Sequence, residues 1–161
     1  MPLALFRPVK LPAGLSGKLW LSSMPGRFEP WTDFIAEARR VRLGLTVCLT
    51  SLDEISGASP AYARALAEGT LPGRWLNLPM RNFGLPDDAD SFRNGIEKAA
   101  AALDGGQSVL LHCAAGMGRT GTAGACLLKR LGLPVEQAMQ CIRDAGSNPQ
   151  NAEQSGLVDW F

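Results

Sequence analysis

The 161-residue chain holds a single histidine, His112, and that scarcity removes two kinds of chemistry at once. A zinc centre built on several histidines has no ligands to draw on. A Cys-His or Ser-His-Asp protease has no free imidazole either, because His112 adjoins Cys113 and consecutive side chains of a strand point to opposite faces. No Cys-x-x-Cys pair occurs among Cys48, Cys113, Cys126 and Cys141, and a domain of this size does not need disulfide staples, so all four read as thiols. Charge of one sign is lacking too: 16 Lys and Arg stand against 15 Asp and Glu. That balance gives no reason to expect nucleic-acid binding or attachment to an anionic membrane surface. No apolar run approaches a membrane span, and the stretch "MPLALFRPVKLP" is cut by Arg7 and Pro8 too early for a signal peptide, so a cytoplasmic chain is expected. Without a repeat or a low-complexity linker, residues 1–161 read as one domain.

What is present is an alternation. Apolar, β-branched or aromatic runs at "KLWLSS", "GLTVCLT", "RWLNLPM" and "SVLLH" are bounded by Gly, Pro or polar residues and read as strands. Helical patterns cover Trp31 to Arg42, Pro60 to Glu68, Ser91 to Leu103, Thr120 to Leu131 and Val135 to Ala145, with a short one from Ala152. Asp90 or Ser91 suits the cap of one helix, and Pro134 the first turn of another. Strands alternating with helices predict an α/β sheet covered by helices. The arginines of "EARRVR" fall among apolar residues at helical spacing and read as a solvated helix face.

The decamer "HCAAGMGRTG" at 112–121 follows an apolar strand and opens a helix, an arrangement that binds phosphate because loop amides and the helix N-terminus point at the anion. Gly116, Gly118 and Gly121 spell G-x-G-x-x-G, but a dinucleotide fold needs a strand after the helix, and "LPVEQAMQCIRDAG" looks helical. A nucleotide P-loop needs Gly-Lys-Ser/Thr, and here Gly118, Arg119 and Thr120 omit the lysine.

Covalent chemistry fits better. Cys113 is the candidate nucleophile, and Arg119 follows it after five residues, Ala114, Ala115, Gly116, Met117 and Gly118, whose N–H groups can curl around a phosphate. Arg119 then returns to grip two phosphate oxygens. Inward amides, the helix N-terminus and Arg119 all favour negative charge, which predicts a thiolate at Cys113 near neutral pH. Thr120 can donate its hydroxyl to the sulfur. Glycines at 116 and 118 allow backbone angles that a side chain resists. The competing reading of Cys113 is a buried core thiol, which would have no use for two glycines and an arginine in register beside it.

These residues resemble the signature of the cysteine-dependent protein tyrosine and dual-specificity phosphatases: His-Cys, five residues, Arg, then Thr or Ser. "LSSMPG" and "TVCLTSLDEI" look like the corresponding parts of the small kinase-associated-phosphatase-like members. The resemblance implies a central, mostly parallel sheet flanked by helices, with the signature loop at the carboxyl end of a central strand. It implies hydrolysis of phosphomonoesters through a phosphocysteine, on phosphorylated tyrosine or on serine and threonine of proteins or peptides. No metal and no cofactor are implied, Arg119 and the loop amides taking the place of a cation. "NPQNAEQ" is similar to the family's glutamine loop, in which Gln150 would position the attacking water, with Gln154 four residues on. Both are equally readable as surface residues at a helix start. Cys48 ends a strand expected beside that of Cys113, as does a second cysteine in relatives that protect their nucleophile by a disulfide; its other reading is a buried strand thiol.

"MRNFGLPDDADSF" resembles the family's mobile acid loop, with Phe83, Gly84 and Pro86 matching and Asn82 on the acid's position. Asparagine donates a hydrogen bond but no proton, and a phenolate leaving group of pKa about 10 departs poorly without one. Three readings stay open: Asp87 or Asp88 supplies the proton, the substrate has a good leaving group, or the chain binds phosphate more than it turns it over. Asp87 is the acid candidate, against a capping or surface role. An inositol-phosphate or phosphoinositide phosphatase is the enzymatic alternative, but relatives of that type place basic residues inside the loop. Here Ala114, Ala115 and Met117 stand there, with Arg81 outside it as a further cation.

Overall fold

The computed structural model describes residues 4–161. Five strands form one sheet in the order β1-β2-β5-β3-β4: β1 Arg7–Val9, β2 Lys18–Ser22, β3 Leu43–Cys48, β4 Arg74–Asn77 and β5 Ser108–His112. Only the β1 to β2 pairing is antiparallel, and β2, β5, β3 and β4 run parallel. The expected mostly parallel, helix-flanked sheet is therefore the fold. β5 is central and buried along its whole length, as a parallel strand covered on both faces must be.

Side chains leave β5 alternately. Val109 and Leu111 join the larger core beneath α4 (Ala89–Asp104), α5 (Gly118–Arg130), α6 (Val135–Asp144) and α7 (Ala152–Trp160). Leu110 packs on the other face with Phe6, Phe34 and Ala38 under α1 (Trp31–Arg40). A third cluster on that side joins Met24, Cys48, Ile55 and Tyr62, contributed partly by α2 (Leu52–Ala58) and α3 (Pro60–Glu68).

Two elements lie outside the sequence expectation. β1 is three residues long with Pro8 at its centre, which is tolerated because the strand is at the sheet edge. α2 carries half of a capping box: Ser51 Oγ accepts from the Glu54 N–H at 3.1 Å, while the Glu54 carboxylate turns away to Arg119. Expected caps also shift. Asp88, not Asp90 or Ser91, caps α4, accepting from the Asp90 N–H and from Ser91 Oγ. Pro134 stands just ahead of the first turn of α6. That α5 is followed by a helix, not a strand, removes the dinucleotide reading of the three glycines.

Candidate active site

The loop 113–117 links the carboxyl end of β5 to the N-terminus of α5, so its N–H groups gather at the positive end of a helix dipole. Gly116 adopts φ 76°, and a Cβ there would approach the Ser22 carbonyl carbon to 2.7 Å and the Ser23 nitrogen to 2.8 Å. Gly118 has no such angle; a Cβ there would displace the Gln150 side chain.

Cys113 is 3% exposed and accepts a hydrogen bond from the Gly116 N–H at 3.2 Å. The Thr120 hydroxyl is buried with no hydrogen-bond partner among the described residues, and of the groups that lower the Cys113 pKa it acts most strongly. Burial alone pushes the Cys113 thiol up, but the Thr120 side chain and N–H, the Arg119 charge and the Gly116 N–H together pull it below the ordinary thiol value. Among the described residues, the N–H groups of Ala114, Ala115, Met117 and Gly118 donate to no carbonyl or side chain, which leaves them for an anion.

His112 supports the loop from the opposite face of the sheet. Its Nδ1 lies 3.1 Å from the Cys113 carbonyl, and since a carbonyl only accepts, Nδ1 carries the proton. Nε2 lies 2.7 Å from the Tyr62 hydroxyl, which accepts from the Trp75 indole N–H at 2.8 Å. Cys48 belongs to this side. It is buried beside His112, with its sulfur 3.2 Å from Thr50 Oγ1, whereas Cys113 joins the core of the other face. The two cysteines therefore pack into different core clusters.

A pocket of about 430 Å³ opens over the sulfur. Cys113, Ala114, Ala115, Met117, Gly118, Arg119, Asn82 and Gln150 all line it, as do Met24, Arg27, Glu54 and Phe83. Arg119 is 2% exposed, and its guanidinium is held by Glu54 through Nη1 to Oε1 at 2.8 Å and Nη2 to Oε2 at 3.1 Å. Gln150 is brought to the pocket, and Gln154, fully buried, accepts from its N–H at 2.9 Å. Gln154 also donates to the Gly84 carbonyl and Asn151 to that of Phe83, so the segment with Asn82 is tied to the start of α7.

Asp87 is not part of this assembly. Its N–H bonds the Pro79 carbonyl and its side chain is exposed outside the pocket, while Asp88 is spent on the helix cap. Arg81 likewise is exposed and outside. Glu54 is the pocket's one carboxylate among the described residues, and it is engaged with Arg119. Arg27 is a lining cation missed by the motif reading, its guanidinium 4.5 Å over the Phe28 ring. Among the described residues no group of three or more His, Cys, Asp or Glu could hold a metal, and no helix is long and apolar enough to cross a membrane.

A mostly parallel sheet whose central strand ends at a buried cysteine, followed by a loop whose N–H groups have no protein partner among the described residues and by a buried arginine, has the architecture of the phosphatase class. The chain belongs to the Swiss Army Knife protein family, DSP-PTPase phosphatase domain, whose model matches residues 31–155. A crystal structure of kinase associated phosphatase, its catalytic-site cysteine replaced by serine, superposes with a TM-score of 0.81 at 21% identity, covering 98% of this chain and 93% of that one. The active form of Tk-PTP gives a TM-score of 0.71 at 22% identity, covering 92% of this chain and 95% of that one. Protein 067L of Invertebrate iridescent virus 3, named as a proposed tyrosine phosphatase, is 33% identical over 57 residues. That match takes in 34% of this chain and 24% of the viral protein's length.

Proposed function

We propose that the chain hydrolyses phosphomonoesters through a phosphocysteine formed on Cys113, acting on phosphorylated tyrosine, and on serine or threonine, of proteins or peptides. One observation carries the reading: a buried Cys113, its pKa lowered, lines a pocket together with Arg119 and loop N–H groups that have no protein partner among the described residues. The sulfur attacks phosphorus, the ester oxygen leaves, and water attacks the phosphocysteine, releasing phosphate and the thiolate. Arg119 and the loop amides stabilise the charge on the equatorial oxygens throughout. Gln150, which lines the pocket, would orient that water.

The rim favours a single phosphate on an apolar group. Phe83 and Met117 are 57% and 40% exposed beside the opening, where they would flank an aromatic ring, and the loop offers no lysine or arginine for a second phosphate before Arg119. Asn82 favours a second reading, a phosphate reader with slow turnover, since among the described residues no free carboxyl lines the pocket. Rapid quench with a labelled phosphopeptide, followed by mapping of Cys113, separates the two. A phosphocysteine that forms and turns over supports the enzyme; tight binding without that adduct overturns it.

A further inference from the structure

Arg7, on the edge strand β1, lies behind the phosphate loop and reaches it across 109 positions of sequence. Its Nη2 donates to the Gly116 carbonyl at 2.7 Å, and its Nη1 donates to the Ala145 carbonyl at 2.6 Å and to Ser147 Oγ at 3.1 Å. Ser147 adds a second donor to the same Gly116 carbonyl. Space is kept for this guanidinium: Gly146 has φ 87°, and a Cβ there would approach Arg7 Nη1 to 2.8 Å.

Gly116 is the residue whose N–H meets the Cys113 sulfur, so its two sides face different partners. In a trans peptide the carbonyl oxygen and the following N–H point in opposite directions, and no peptide among the described residues is cis. Holding the Gly116 oxygen outward therefore turns the Met117 N–H inward. That N–H has no protein partner among the described residues. Arg7 also keeps its charge: its hydrogen bonds go to two carbonyls and a hydroxyl, and among the described residues no carboxylate pairs with it. Burial pushes the Arg7 pKa down, and the charge of the Cys113 sulfur offsets part of that shift.

We propose that Arg7 is a positioning residue of the phosphate site: it fixes the Gly116 to Met117 peptide so that its N–H faces the anion, and it places a second cation behind the Cys113 sulfur. The role rests on the phosphocysteine reading for its purpose, but it can be measured without turnover.

The test compares the unaltered chain with Arg7→Gln and Arg7→Lys. Two quantities are read: the pH midpoint of Cys113 alkylation by iodoacetamide, and the affinity for tungstate. Arg7→Gln removes the charge and one of the two donor sites, so the midpoint should move to higher pH and tungstate affinity should fall about tenfold. Arg7→Lys retains charge but cannot span two carbonyls, so the midpoint should stay near that of the unaltered chain while tungstate still binds more weakly. An Arg7→Gln chain with unchanged midpoint and unchanged affinity overturns the proposal. Should that variant not fold, Ser147→Ala decides: with one donor lost and the charge kept, weaker tungstate binding at an unchanged midpoint supports it, and unchanged binding overturns it. If the Arg7 effects appear but no phosphoester is hydrolysed by the unaltered chain, the phosphatase reading fails and the Arg7 assignment stands.

Discussion

Glu54 and Arg119 meet through two nearly parallel hydrogen bonds, one side chain 35% exposed and the other 2%. The Arg119 Nη1 also donates to the Met80 carbonyl at 3.1 Å. A guanidinium held at both ends lies in one plane, and only its remaining N–H groups are left for phosphate. The same carboxylate places a negative charge near an anionic substrate. Glu54→Gln should therefore divide the kinetic constants: kcat falls by roughly tenfold as Arg119 loses its orientation, while KM does not rise, because repulsion is relieved. Solvent screens the pair at its exposed end, so thermal stability should drop by only about 1 kcal/mol. Unchanged kcat would show that the pair holds nothing the reaction uses.

Glu54 also marks where reading by sequence stops. The cradle was legible because its parts are contiguous: nucleophile, glycines, arginine and threonine occupy one loop, and the strand before it and the helix after it carry their own periodicities. Glu54 and Arg7 reach that loop across 65 and 109 positions, and pairing at such range leaves no local pattern. The second helix carried a signal that was available, Ser51-x-x-Glu54. Its length of seven residues left little else to read. β1 offered three residues with proline at the centre, below what alternation can show. Asp87 lies outside the pocket for another reason. One-dimensional proximity to Asn82 suggested that the acid could move along the loop, but the chain turns between them, with Phe83 at φ 59° and the Gly84 N–H on the Arg81 carbonyl. Asp87 thereby emerges outside the pocket.

Replacing the nucleophile tests the loop and the chemistry separately. Cys113→Ser should abolish turnover, since a serine hydroxyl at this position has no base to activate it. Tungstate should still bind, because the cradle amides and Arg119 do not depend on the sulfur. Isothermal calorimetry of the variant beside a steady-state assay gives both answers, and retained turnover would exclude the covalent route.

Oxidation is expected to leave Cys48 alone. Cys48 pairs in register with His112, and both sit against Tyr62 on one face, while Cys113 joins the core of the opposite face. A disulfide needs its two Cβ atoms to approach to about 4 Å, and these two side chains pack into different core clusters. Mild peroxide should therefore take Cys113 through sulfenic to sulfinic acid with lasting loss of activity, and nonreducing peptide maps should show Cys48 as a free thiol. A Cys48 to Cys113 linked peptide, with activity restored by reductant, would show that the strand end rearranges and that the pairing suggested by resemblance is real.

Asn82 lines the pocket and falls on the position that the family resemblance gives to a proton donor, so Asn82→Asp should supply one. Proton transfer to the leaving oxygen helps in proportion to the charge that develops there. A phosphotyrosine phenol, of pKa about 10, needs that help, and an aryl phosphate whose phenol is already acidic does not. General acid catalysis is worth about a hundredfold to ten-thousandfold where it is needed, so the substitution should raise kcat/KM for phosphotyrosine by that order and leave the activated ester nearly unchanged. The pH profile should change with it: the unaltered chain should lose rate only on the acid side, as the Cys113 thiolate is protonated, and the variant should gain an alkaline limb as the new carboxyl ionises. Asp87→Asn, made beside it, should alter neither substrate, because Asp87 is exposed and outside the pocket. Selective loss on phosphotyrosine in Asp87→Asn would mean that the loop swings Asp87 inward on binding. If Asn82→Asp moves neither the rate ratio nor the profile, position 82 does not face the leaving group.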